Sequence, residues 1–184
     1  MTNFLPPMFP RFNAAVIHIC DRVNPRGYFL MPDKLAPRTL AQLIEAEHMA
    51  GGRMPVSKGN SLFTIYGDPE VNYQFRAWHD RTHMLIGAEF NRAGEARVCA
   101  AMQADCAKIY GAKEAKLFAL ILDAEINGQA AYFDAYGRFP KDQRQYMAGH
   151  THYPTLVRAG IAQYDAPWGE CWGIKAYVSV GAHA

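Results

Sequence analysis

The sequence predicts a mainly α protein: a single-domain helical bundle of about four longer helices with irregular N- and C-terminal segments. Two observations predict it. Apolar residues recur at spacings of three and four over four stretches, the period of an amphipathic helix. Those stretches are bounded by helix start and stop signals, whereas strand-like alternation is confined to a short run near the end. A chain of 184 residues, half of them hydrophobic, suits one domain with a sizeable core.

Residues 1–35 hold Pro6, Pro7, Pro10, Pro25 and Pro32 and read as an extended arm. Within the arm, Ala14 to Cys20 is compatible with either a strand or a helical turn. The helical metal-binding domain is then expected over 36–184. Its first helix, roughly 37–50, carries Leu40, Leu43, Ile44 and His48 at helical spacing and stops at Gly51-Gly52. Residues 51–67 read as a loop with a short strand at Leu62 to Tyr66. Asp68-Pro69-Glu70 starts the second helix, 69–89: an N-cap aspartate, proline at the first helical position, then an acid. Asn91 caps the third, 92–110, which ends at Gly111. The fourth runs from Lys113 to about Tyr136 and stops at Gly137. Shorter pieces are expected at 141–148 and 153–163, and Ile174 to Val180 alternates like a strand or forms packed coil.

Composition narrows the function classes. Net charge is +2 with scattered basic residues, so the electrostatic footprint of a nucleic-acid binder is missing. The four cysteines form no C-x-x-C pair, which argues against a zinc ribbon or a thioredoxin motif. Cys99 and Cys106, seven apart on one helix, stand about 10 Å apart at 1.5 Å rise per residue, too far for a disulfide. The start has no basic n-region or unbroken apolar run, and no apolar stretch is long enough to span a bilayer. The expectation is a cytoplasmic protein acting on a small molecule, with a homo-oligomer left open.

Chemistry concentrates on the second helix. His79 and His83, four residues apart, share one of its faces, on the apolar side. Glu95 opens the inward stripe of the third helix as its only charge. Glu125 lies in the middle of the apolar face of the fourth. A carboxylate in an apolar stripe is costly unless paired, hydrogen-bonded or bound to a metal. Helices joined by short turns bring such faces together, as in bundle metal sites. The expected metal ligands are therefore His79, His83, Glu95 and Glu125, holding Zn²⁺ or alternatively Fe²⁺ or Mn²⁺. For Glu125 a buried pair with Arg76 or Arg97 is the alternative. Asp80 has three open roles: orienting an imidazole, ligating through a bent helix, or lying at the surface. Glu125 or Asp80 is the expected general base.

His48 is a further residue that the first helix can turn to the core. His150 and His152, flanking Thr151, suit a lid, a ligand or a solvated turn. Trp168, Trp172 and Tyr177 read as core or edge aromatics.

The pattern His79-Asp80-x-x-His83, eleven residues, then Glu95 resembles the zinc-binding motif of the coenzyme Q (ubiquinone) biosynthesis protein family that acts at ring carbon one and helps organise the quinone-synthesising complex. That family is all-helical. The resemblance implies that His79, Asp80, His83 and Glu95 are the metal-site residues. It covers the motif alone.

The functional expectation is a metal-dependent enzyme with hydrolytic, lyase- or decarboxylase-like, or oxygen-using chemistry. The alternatives are a non-enzymatic interaction protein with a buried polar network and a nucleic-acid accessory protein.

Overall fold

The computed structural model describes residues 5–162. Its elements run α1 (Pro10–Val23), β1 (Tyr28–Met31), a 3₁₀ turn (Asp33–Leu35), α2 (Leu40–Met49), β2 (Met54–Ser57), α3 (Pro69–Ile86), α4 (Arg92–Ile109), α5 (Ala112–Asp123), a π-turn (Ala124–Gly128), α6 (Gln129–Tyr136), α7 (Gln143–Gly149) and α8 (Tyr153–Arg158). The class is mainly α, with one small two-stranded sheet among the described residues.

The centre of the molecule is α3. It packs against α1, α2, α4 and β2, while α4 packs against α5 and the π-turn. The core is aromatic where these helices meet: Phe9, Phe12, Tyr66, Trp78 and Phe118 are fully buried. The Phe12 ring lies 5.4 Å from Phe118 and 6.4 Å from Tyr66, and Tyr66 lies 5.2 Å from Phe75. Contacts of this kind stabilise beyond the apolar area they bury.

Start and stop chemistry sets the helices that matter for the site. Asp68 accepts from Glu70 N–H, with Pro69 at the first helical position of α3. Gly87, at φ 58°, closes α3 in the left-handed conformation that glycine adopts without strain. Asn91 Oδ1 accepts from Gly94 N–H and starts α4.

The N-terminal segment corrects the expected extended arm. Residues 10–23 form a regular helix that buries Phe12, Ala15, Val16, Ile19 and Cys20 against the domain. Pro10 occupies its first turn, where the missing N–H costs no hydrogen bond. The expected strand at Leu62 to Tyr66 is also absent. The strands lie instead at 28–31 and 54–57, paired in parallel with Tyr28 opposite Met54. Helix α2 begins at Leu40 with Thr39 as N-cap, not at Pro37. It buries only Leu40 and Leu43, so Ile44 is exposed and His48 faces away from the core.

The long fourth helix is present with a break in its hydrogen-bond period: one π-turn over Ala124–Gly128 separates α5 from α6. Such turns cluster at functional sites. The expected helical pieces near 141–148 and 153–163 appear as α7 and α8. The strand or coil expected at 174–180, together with Trp168, Cys171, Trp172, Tyr177 and His183, lies outside the described residues. Cys20, Cys99 and Cys106 are buried free thiols, and burial pushes the Cys99 and Cys106 thiols up to about 12. No helix of the described residues is long and apolar enough to cross a membrane.

Candidate metal centre

His79 and His83 lie one turn apart on α3, with ring centroids 4.6 Å apart. Glu95 reaches them from the first turn of α4, where the partial positive charge of a helix N-terminus favours a carboxylate. The turn at 87–91 brings the two helices together, and Gly94 lets it close. A Cβ at Gly94 would lie 1.8 Å from the Glu89 carbonyl oxygen, so only glycine fits beside Glu95.

One ligand-type atom from each of His79, His83 and Glu95 falls within a mutual 4.8 Å, the spacing of donors around one ion. His79 Nε2 is 3.0 Å from Glu95 Oε2, and His83 Nε2 is 3.4 Å from Glu95 Oε1. The far nitrogens are held as well. His79 Nδ1 is 3.2 Å from Asp80 Oδ1, and His83 Nδ1 is 2.9 Å from the Ala88 carbonyl oxygen. Such outer partners fix the tautomer and orientation of metal-binding imidazoles.

The bond to Ala88 fixes which nitrogen of His83 is free to ligate. A carbonyl only accepts, so Nδ1 keeps a proton, and it is Nε2 that offers a lone pair when the ring is neutral. That atom is fully buried and makes no hydrogen bond. It faces the carboxylate of Glu95 at 3.4 Å. A neutral imidazole nitrogen and a carboxylate meeting in such a site are joined by a proton or by a metal ion. The residues present therefore fit a metal ion: two imidazole nitrogens and a carboxylate, with room for a fourth partner on the cavity side.

Charge in the site runs the same way. Burial works to lower the His79 pKa, but hydrogen bonds to Asp80 and Glu95 outweigh it and push it up to about 10. Burial works to raise the Glu95 pKa, but the two imidazoles beside it bring it down to about 2.

The cluster opens on a cavity of about 660 Å³ lined by residues of α3, α4, the π-turn, α6 and the loops around β2. His79, Asp80 and Glu95 line it, with Arg76 and Phe75 one turn earlier on α3. Glu125, also expected as a ligand, lines the same cavity from the π-turn but is not one of the three clustered residues. Its carboxylate accepts from Gln129 Nε2 at 3.0 Å. Burial pushes its pKa up to about 8 against the lowering effects of Gln129 and Arg76. Neither arginine expected as an alternative partner forms an ion pair with it: Arg76 donates to the Ser57 carbonyl oxygen at 3.1 Å, and Arg97 to that of Ile86 at 2.8 Å.

Asp80 Oδ1 meets His79 Nδ1, the contact that the orienting role among the three open to it requires. His150 and His152 stay away from the metal cluster. His152 Nε2 pairs with Asp123 Oδ2 at 2.8 Å, and His150 Nδ1 accepts from the His152 backbone N–H. His48 is exposed on α2 and takes no part. Sequence reasoning missed the Ala88 carbonyl, whose only signal is the glycine stop at Gly87. It also missed the buried amides Asn72, Gln129 and Gln143 that line the cavity.

Comparison with protein-family models, curated proteins and solved structures gave no match.

Proposed function

We propose that the protein is a metal-dependent enzyme acting on a small molecule, with His79, His83 and Glu95 as ligands and Asp80 holding His79 in place. The observation that carries the reading is the buried, unbonded Nε2 of His83 aimed at a carboxylate. Zn²⁺ suits two imidazoles and one carboxylate with an open position, and Fe²⁺ or Mn²⁺ accept the same set. The resemblance of the motif to the ubiquinone-biosynthesis family supports the same ligand assignment.

When bound, such an ion acts as a Lewis acid on an oxygen at its open position. The remaining work falls to side chains of the cavity. Asp80 and the Ala88 carbonyl keep both imidazoles pointed at one place. Glu125, with its pKa held near the working range by burial, takes up or gives a proton at its carboxyl. Arg76, on the same face of α3, places positive charge on the cavity wall. A proton-carrying carboxyl in the cavity favours hydrolytic or lyase-type chemistry over the use of oxygen.

The competing reading puts a proton where the metal would be. His79 then pairs as a cation with Glu95, and the site is a buried polar network in an interaction protein. The raised His79 pKa favours it, but it requires a second proton on buried His83 Nε2, whose only acceptor among the described residues, Glu95 Oε1, lies at a long 3.4 Å.

Cobalt substitution separates the two. Metal-free protein given Co²⁺ should show visible absorption of a low-symmetry nitrogen/oxygen site, lost in His79→Ala, His83→Ala and Glu95→Ala. Acetohydroxamate should shift the bands by occupying the open position. Failure of the folded wild type to develop the bands would remove the metal reading. Bands insensitive to acetohydroxamate would remove the catalytic one.

A further inference from the structure

The cavity has a wall that the chemistry above leaves unused. Three primary carboxamides, Asn72, Gln129 and Gln143, line it beside Glu125. All three are more than nine-tenths buried, at 3%, 7% and 7% exposure. They come from three elements, α3, α6 and α7, so no single helix face explains their convergence. Asparagine and glutamine are mostly surface residues, because each carboxamide brings two N–H donors and an oxygen acceptor that need partners.

Here those needs are met in part. Asn72 Nδ2 donates to Ser61 Oγ at 3.0 Å, and Gln129 Nε2 donates to Glu125 Oε1 at 3.0 Å. Among the described residues neither carboxamide oxygen accepts a hydrogen bond. The Gln143 side chain makes none at all; only its backbone N–H is bonded, to the Phe63 carbonyl oxygen. The unpaired carboxamide atoms are open to the cavity and are not sealed in the core. A wall that gathers several of them offers its free donors and acceptors to a ligand. Phe75, Phe90, Phe133 and Phe139 line the same cavity and offer apolar ring surfaces.

We propose that this wall is a recognition subsite for an uncharged, planar amide-type group, a lactam, imide or ureide, on the molecule that the enzyme binds. The chemistry of the wall selects the class. A carboxamide sets a donor beside an acceptor, and a cis-amide edge presents the complementary pair, the geometry by which Asn and Gln read adenine. The three carboxamides carry no formal charge, so what they read is a neutral donor–acceptor pair. Glu125, kept protonated at neutral pH by burial, adds one donor to the same edge. The subsite rests on the metal-enzyme reading only for which end of the ligand reacts.

The test uses the full chain, metal-free and zinc-loaded, with saturation-transfer NMR and calorimetry. The probes are succinimide and hydantoin, with N-methylsuccinimide and benzoate as controls. Succinimide and hydantoin should bind, and N-methylsuccinimide, which lacks the donor, should bind about tenfold or more weakly. Benzoate should also be weaker by about that factor. Gln143→Leu should weaken succinimide binding about tenfold with an unchanged melting temperature, and Gln143→Met serves if the leucine variant does not fold. Equal binding of N-methylsuccinimide, preference for benzoate, or an unaltered affinity in both Gln143 variants would overturn the subsite. Zinc content is read separately. A chain that holds zinc but ignores the imides refutes the subsite and leaves the metal reading standing. A chain that takes no zinc but binds imides through Gln143 does the reverse.

Discussion

Replacing Asp80 by alanine should weaken metal binding by a factor that the structure lets one work out. Asp80 Oδ1 accepts from His79 Nδ1 at 3.2 Å, and the Asp80 side chain is about one quarter exposed, at 26%. A hydrogen bond involving a charged group contributes about 1.5–3 kcal/mol. The length of this one and its contact with solvent place it at the low end. At 1.4 kcal/mol per tenfold, about 1.5 kcal/mol is a loss of about tenfold in affinity. Outer partners of metal-binding histidines contribute about 10–100-fold, which agrees. Proton competition adds a pH dependence. Asp80 also raises the proton affinity of His79 in the metal-free protein, so its removal lessens the competition from protons. The net loss should therefore be smaller at pH 6.5 than at pH 9. Competition with a fluorescent zinc chelator at both pH values measures it, and circular dichroism checks the fold. A loss as complete as that of His79→Ala would make Asp80 a ligand. An affinity unchanged at pH 9 would refute the orienting role.

Metal affinity itself should rise about tenfold per pH unit between pH 6.5 and 9, because binding must displace one proton from His79, whose pKa stands at about 10; a flat profile by chelator competition contradicts this. Glu125→Gln should stabilise the metal-free protein at pH 8 and change it little at pH 4. The Glu125 pKa is raised on folding, so its contribution is fully present below the unfolded value and is lost as pH rises through about 8. The difference should reach roughly 2–4 kcal/mol, and denaturant titrations at the two pH values read it. Gly94→Ala should cost about 3 kcal/mol or more and loosen the metal, since its Cβ would meet the Glu89 carbonyl oxygen at 1.8 Å. Thermal melting and chelator competition measure both effects.

The helices carrying His79, His83 and Glu95 are legible in the chain because their ends are written in side chains. Asp68 with Pro69, Gly87 and Asn91 bound α3 and α4 within a few residues. Helix α1 is obscured by the prolines before it, although Phe12, Ala15, Val16 and Ile19 keep helical spacing. The parallel pairing of 28–31 with 54–57 joins short segments across a whole helix, and no local pattern announces it. The site divides in the same way. His79, His83 and Glu95 come together because their helices are neighbours with a short turn between them. Glu125 faces the same cavity, yet it sits on a π-turn, a change of helical period that side-chain spacing does not encode. Ala88 holds His83 through its backbone, so no residue type marks it.

Metal content of the folded wild-type chain tests the central claim most directly. Protein purified without chelators, or metal-free protein exposed to zinc and then desalted, is assayed by plasma mass spectrometry beside His83→Ala. The account predicts about one divalent metal per wild-type chain, with none retained in the His83→Ala protein while its helical circular dichroism persists. A folded wild-type chain that carries no metal and takes up none would contradict it, and His79, His83 and Glu95 would then be a proton-bridged network.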